Sequence, residues 1–289
     1  MWTIRQPKIP AEEAFRTCVT GMRDATTRER FAAVEDAVID ADVKFQEKAE
    51  TGDCEDLEAS DFALPSVDMP WLYRERLVKA VEGRRLYDCL KKLAPGKKCP
   101  LCGHGVVKTL DHHLAKHRYH ALAVNPLNLV PACRDCNTEK LDCDDDTLNP
   151  YFDDVRDQWL YARLIQGPPG EPPTVEFFVD FPDNWPDRLR KRVENHFRVF
   201  QLAERFEVAA GSELTSIVYT LRRIWDEERA DGVRRHLLDL ARGARLMAAN
   251  TWQAALFDGL AASHWYCDGG FRTGLPDFLE EEDAESRGA

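Results

Sequence analysis

Cys99-Pro100-Leu101-Cys102 and Cys133-Arg134-Asp135-Cys136 decide how this chain is read. Between them lie Leu110-Asp111-His112-His113-Leu114 and Pro126-Leu127-Asn128-Leu129-Val130-Pro131, and Asn137-Thr138-Glu139-Lys140 follows directly. Two residues between paired cysteines let both sulfurs face one ion, and two such hooks complete a tetrahedral four-cysteine zinc site. Cys99, Cys102, Cys133 and Cys136 are therefore read as ligands of a structural Zn2+, because a closed site of four thiolates keeps no position for water or substrate. Lys97, Lys98 and Arg134 beside the hooks favour ionised thiols. Two unrelated buried cysteine pairs, or a redox pair, are the competing readings; a redox site needs one Cys-x-x-Cys and leaves the other unexplained. The hooks stand about thirty residues apart, so a structural insert lies between them.

Five of the chain's eight histidines fall in that insert, between His104 and His120. With its Asp-His pair, its Asn-Leu-Val-Pro segment and its Cys-x-x-Cys-Asn-x-x-Lys segment in this order, residues 97–142 resemble the HNH nuclease family, whose fold is the ββα-metal finger. The resemblance implies roles at matching positions. His112 matches the general base and Asp111 the first metal ligand. Asn128 matches the central asparagine that holds the loop and the base in place. Asn137 matches the last motif position, a second metal ligand, where the family often has histidine. A proline that many relatives carry after the Asp-His pair is replaced by Ala115 in Leu114-Ala115-Lys116.

The chemistry also stands on its own terms. Hydrolysis of a phosphodiester needs an attacking water, a base for its proton and positive charge at the phosphate; a histidine titrating near neutrality is such a base. One carboxylate and one amide oxygen suit a hard divalent ion, Mg2+ or Mn2+, that keeps open positions. Adjacent side chains on a strand point to opposite faces, so Asp111 and His112 must sit at a strand end or turn to reach one site. Each residue has an ordinary reading too: Asp111 as a turn cap, His112 as a satisfied core histidine, Asn128 as a turn residue, Asn137 as a helix cap. Their combination between two zinc hooks favours the functional one. Lys116, Arg118, Arg134 and Lys140 are the candidate phosphate contacts, and His113, His117 and His120 are read as surface or phosphate-contacting groups.

The chain has 289 residues and a net charge of −12, which by itself argues against a nucleic-acid partner. Its distribution argues the other way: Arg74 to Lys140 carries fourteen Lys+Arg against six Asp+Glu, a basic island in an acidic chain. Nine cysteines are an odd number, and no secretory signal precedes them, so a disulfide framework is not expected; Cys18, Cys54, Cys89, Cys143 and Cys267 read as scattered thiols. No run approaches a membrane span, and the expected location is the cytoplasm.

The expected fold class is mainly α with a small α+β insert: a ββα-metal finger with its four-cysteine site embedded in a helical scaffold. Residues 1–94 form an N-terminal helical region, 95–150 the nuclease core, 151–278 a β-hairpin with C-terminal helices, and 279–289 a disordered acidic tail. Phe31, Val34, Val38, Ala41 and Phe45 mark one helix face, with breaks at Gly21 and Thr26-Thr27. A helix is expected from Trp71 to Leu93. Strands are expected over Trp159–Ile165 and Val175–Phe181, around the turn 167–173. Helices follow from Pro186 to about Leu260. Trp252, Trp265, Tyr266 and Phe271 are read as core in preference to a partner-binding patch.

The expected activity is metal-dependent hydrolysis of DNA. A non-catalytic zinc module that binds nucleic acid or protein, and an RNA- or tRNA-directed nuclease, are the alternatives. In layout the chain resembles the nuclease subunits of bacterial antiphage systems of the Septu type, which implies an ATPase or other regulatory subunit as partner.

Overall fold

The structure, a computed structural model, describes residues 1–140 and 145–274. It is mainly helical, with two small two-stranded sheets. Cys143 and the acidic tail lie outside the described residues. No described helix is long and apolar enough to cross a membrane.

The chain divides into two units, the first made of Met1–Val155 and Pro186–Phe200. Helices α1 (Ala11–Thr20), α2 (Ala25–Ala32) and α3 (Glu35–Thr51) open it. The expected break at Gly21 appears and ends α1, but Thr26-Thr27, expected as a second break, lie in the first turn of α2, where the Asp24 carboxylate accepts from Thr27 N at 2.8 Å as its cap. A further break at Ala33–Val34 separates Phe31 from the α3 stripe of Val38, Ala41, Phe45 and Ala49, all buried. Residues 52–69 contain two short 3-10 turns that bury Cys54 and Phe62.

The helix expected from Trp71 to Leu93 is broken. A short α4 (Met69–Trp71) runs into a π-helical segment, Leu72–Lys79, and α5 (Val81–Lys91) starts after Ala80, whose ψ of 148° is extended. Gly83 permits this close fold-back. A Cβ there would collide with the Arg76 carbonyl oxygen and lie 2.7 Å from Leu77 Cα.

Strands β1 (Thr109–His112) and β2 (Leu129–Ala132) pair antiparallel, with Asp111 opposite Val130 and His112 opposite Leu129. Helix α6 (Arg134–Lys140) follows β2 directly. Leu110, Leu122 and Leu129 belong to the same buried cluster as Phe15, Phe45 and Leu72. The N-terminal helices and the strand pair thus share one core, and the expected boundary at residues 94 and 95 is not a boundary in packing.

Helix α7 (Asp187–Val199), expected with the C-terminal region, belongs to this first unit. Its anchors are polar. The Arg192 guanidinium, 4% exposed, meets both oxygens of Asp153 at 2.8 and 2.7 Å and Asp146 at 2.9 Å. His196 Nε2 lies 2.8 Å from the Leu101 carbonyl oxygen. An isolated guanidinium would be costly to bury, so its acidic partners fix where α7 packs.

The second unit holds Arg156–Trp185 and the residues from Gln201 onward. Strands β3 (Leu160–Ile165) and β4 (Thr174–Val179) form the expected hairpin. Helix α8 (Leu202–Arg245) is interrupted at Arg229, whose φ is 58°, and α9 (Trp252–Ala262) and α10 (His264–Cys267) follow. Trp252, Tyr266 and Phe271 are buried, as core residues are, while Trp265 is half-buried.

Candidate metal centre and strand-end site

The two hooks meet. The sulfurs of Cys99, Cys102, Cys133 and Cys136 lie within 4.8 Å of one another, and all four residues are buried. Cys102 and Cys133 Sγ are 4.0 Å apart, near the roughly 3.8 Å edge of a tetrahedron with Zn–S bonds of about 2.3 Å. Backbone amides support the sulfurs: Gly105 N donates to Cys102 Sγ at 3.3 Å and Cys136 N to Cys133 Sγ at 3.4 Å. The first hook closes through Gly103 N to Cys99 O at 2.7 Å and Cys99 N to Gly105 O at 2.8 Å. A Cβ on Gly105 would sit 2.7 Å from Cys133 Cβ and 2.8 Å from its sulfur, so only glycine lets the hooks approach.

Four thiols this close share protons unevenly. Hydrogen bonding among them pushes Cys99 and Cys136 up and Cys102 down. A divalent cation would let all four ionise together, and the donor set, spacing and burial fit a structural zinc ion.

Asp111 and His112 occupy the C-terminal end of β1, ahead of the bend at His113. The Asp111 carboxylate is turned to α6, where Lys140 Nζ donates to its Oδ2 at 3.1 Å. The same ammonium donates to the carbonyl oxygens of His112 at 2.9 Å and His113 at 2.7 Å. Lys140 is 4% exposed and Asp111 5%. Burial pushes the Asp111 carboxyl up, and the Lys140 charge opposes that. Lys140 was expected among the phosphate contacts; instead its three protons are spent inside, bracing β1 against α6. Asn137, half-buried, stands one helical turn before Lys140 on the same helix face.

His112 faces elsewhere. Its Nε2 lies 2.9 Å from the Ala123 carbonyl oxygen, and its ring meets the Tyr73 ring edge-on at 4.5 Å between centroids. A carbonyl can only accept, so the ring proton belongs on Nε2 and the lone pair on Nδ1. Burial, with Lys116 nearby, lowers its pKa to about 3, so the ring is neutral at neutral pH. Lys116 places its ammonium 5.7 Å from the centre of the same Tyr73 ring.

Asn128 is fully buried and clamps the loop between the strands. Its Oδ1 accepts from Leu114 N at 2.7 Å, and its Nδ2 donates to Leu114 O at 3.0 Å and Leu122 O at 3.2 Å. Leu122 precedes the residue that holds His112. Asn128 therefore fixes the loop that fixes the imidazole.

The remaining positions separate. Arg134 and Arg118 are exposed, the latter 5.9 Å from the Tyr119 ring centre. His113, expected near the surface, is 7% exposed, and its Nε2 has no hydrogen-bond partner among the described residues. It lines a polar cavity of about 510 Å³ with Arg118, Asp145 and Asp146. His117 is exposed, and His120 is half-buried with its Nε2 3.0 Å from His117 O. Tyr73 and the Ala123 carbonyl were missed in the sequence. No spacing rule links residue 73 to 112, and a backbone carbonyl carries no side-chain signal.

The chain is similar to protein ea31 of Escherichia phage lambda, 35% identical over 165 residues. The match covers 54% of this chain and 55% of that protein, so the chain spans about half the length of this relative. No protein-family model and no solved structure matches the chain.

Proposed function

We propose that this protein is a metal-dependent endonuclease of the HNH type, acting on DNA through a ββα-metal finger built from β1, β2 and α6. The observation that carries the reading is the seat of His112 at the end of β1: its Nε2 is committed to the Ala123 carbonyl, which leaves Nδ1 as the ring's proton acceptor. Order and pairing agree with this, since two antiparallel strands are followed at once by a helix that meets the end of β1.

In this reading His112 Nδ1 takes a proton from the attacking water. The water oxygen bonds to phosphorus, the bond to the 3′-oxygen breaks, and solvent protonates the leaving oxygen, giving 5′-phosphate and 3′-hydroxyl ends. Asp111 and Asn137 would hold Mg2+ or Mn2+, which supplies positive charge for the phosphate. One carboxylate and one amide on facing elements suit a hard ion, and the carboxyl that burial pushes up has charge to gain from a second cation. Asn128 keeps the base oriented, Lys140 keeps Asp111 and the strand end in place, and the four-cysteine site, with Zn2+, staples the finger. Location in the cytoplasm, a role in antiphage defence and an ATPase subunit as partner complete the proposal; the last two rest on the resemblance in layout to Septu-type nucleases.

The test is cleavage of supercoiled plasmid by the full chain with Mg2+ or Mn2+. Conversion to nicked and linear forms that needs the added ion supports the reading. Cleavage that persists without a divalent ion, or RNA cut in preference to DNA under the same conditions, rejects it.

A further inference from the structure

The 22 residues from Cys89 to Leu110 contain five lysines and no Asp or Glu, in a chain with 51 acidic residues. Four of these lysines lie between the end of α5 and the start of β1. Lys92 caps the C-terminal end of α5. Lys97 and Lys98 lead into the first zinc hook, which folds back as a narrow ribbon: Val107 N donates to Lys97 O at 2.9 Å, and Lys98 pairs with Val106. Lys108 continues that ribbon, donating from its backbone N to Ala132 O at 2.9 Å just before β1 begins. Residues 98, 106 and 108 share one face of the ribbon by strand alternation.

All four lysines are exposed and none makes an ion pair among the described residues. The cations of neighbouring α5 differ: Arg84 and Lys91 are tied to Asp88, and Arg85 to Glu82. The Lys98 ammonium meets an uncharged group, the His104 carbonyl oxygen, at 3.1 Å. A cluster of unneutralised lysines on an otherwise acidic chain is an electrostatic match for a polyanion.

We propose that Lys92, Lys97, Lys98 and Lys108 form a docking surface for the phosphate backbone of duplex DNA, leading the substrate to the end of β1. The proposal rests on the endonuclease reading and names the form of its substrate. A duplex is favoured over a single strand because single-strand sites stack bases on exposed aromatic rings. In this unit no large exposed apolar side chain is aromatic among the described residues. Lys108 is four residues from His112, about 13 Å along an extended strand, or about four base steps along a duplex. One duplex can therefore lie on the lysines and reach the strand end.

The test is fluorescence anisotropy with a labelled DNA duplex of about 25 base pairs, long enough to span the lysines and the strand end. It uses the full zinc-loaded chain and no added Mg2+ or Mn2+. Wild type is compared with the fourfold variant Lys92→Gln, Lys97→Gln, Lys98→Gln, Lys108→Gln, and with Lys44→Gln/Lys48→Gln as a control away from the patch. Each lost phosphate contact lowers the slope of log K against log salt by about 0.9. The fourfold variant then loses about 3.6 in slope. Wild type should fall about 150-fold further in affinity between about 50 and 200 mM salt than the variant does. The control should bind as wild type, and zinc content and melting temperature should match across all three. An unchanged slope in the fourfold variant overturns the proposal, as does tighter binding of the single strand or of duplex RNA by wild type. Duplex binding that depends on the lysines, in a protein that never cleaves with either ion, upholds this surface and rejects the nuclease reading. Ion-dependent cleavage with an unchanged slope does the reverse.

Discussion

Replacing Lys140 by Met removes the cation that touches the buried Asp111 carboxylate and takes a donor from the His112 and His113 carbonyl oxygens. Both side chains of the pair are at least nine-tenths buried. Removing one member of a buried pair costs about 3–5 kcal/mol, because the remaining charge is left without compensation. The unit that holds the pair is large, and about 2–4 °C is lost per kcal/mol at such sizes, so its melting temperature should drop by roughly 10 °C. Asp111→Asn should cost less, since the ammonium keeps two carbonyl oxygens. The double variant should recover about 2 kcal/mol relative to the sum of the singles, as coupled neighbours do. Scanning calorimetry of zinc-loaded protein reads all four corners of the cycle. A Lys140→Met melt within about 2 °C of wild type, less than a single kcal/mol would move it, or strictly additive single effects, would refute the bracing role.

Stripping zinc, or changing Cys136 to Ser, should unfold the finger and lower the first melting transition, because metal binding and folding are one equilibrium in such sites. Elemental analysis should find one zinc per chain in wild type; a metal-free protein with the same melt contradicts the site. Gly83→Ala should destabilise by about 1–3 kcal/mol through its clash with Arg76 and Leu77 backbone. Gly211→Ala, in α8 with nothing within 4 Å of the new carbon, should instead stabilise by up to about 1 kcal/mol; urea melts that show the two alike would contradict this contrast. Burial raises the Asp146 carboxyl to about 6, against the pull of Arg192. A raised carboxyl makes the folded state hold a proton that the unfolded state has released, so its contribution falls as pH rises from about 4 to about 6. The loss is at most about 3 kcal/mol. Asp146→Asn should flatten that part of the stability–pH curve, and an unchanged curve would show that Asp146 is not the group responsible.

What could be read in the sequence was what side-chain spacing encodes. The two Cys-x-x-Cys hooks announce a shared ion because the spacing itself is the geometry, and their sulfurs do converge. Val38, Ala41 and Phe45 announce a buried helix face, and the alternation after Thr174 announces a strand. Asn128 could be singled out as a loop holder, although not the three backbone atoms it would grip. What was lost depends on partners far away in the chain. Ala80 breaks a helix whose apolar stripe reads as continuous, and the reason, a backbone crossing at Gly83, appears only when both segments are in place. Lys140 reads as a surface cation until Asp111 and two carbonyl oxygens, 27 to 29 residues away, take its protons. Arg192 and His196 read as the polar side of an amphipathic helix, yet they tie α7 to Asp153 and Leu101.

The most direct test of the account is the nicking rate of supercoiled plasmid with Mn2+ for wild type and His112→Ala, both carrying full zinc and melting alike. The account predicts ion-dependent nicking by wild type and a loss of at least about a hundredfold without the imidazole, the usual scale for a general base. Nicking at the wild-type rate by His112→Ala would contradict it.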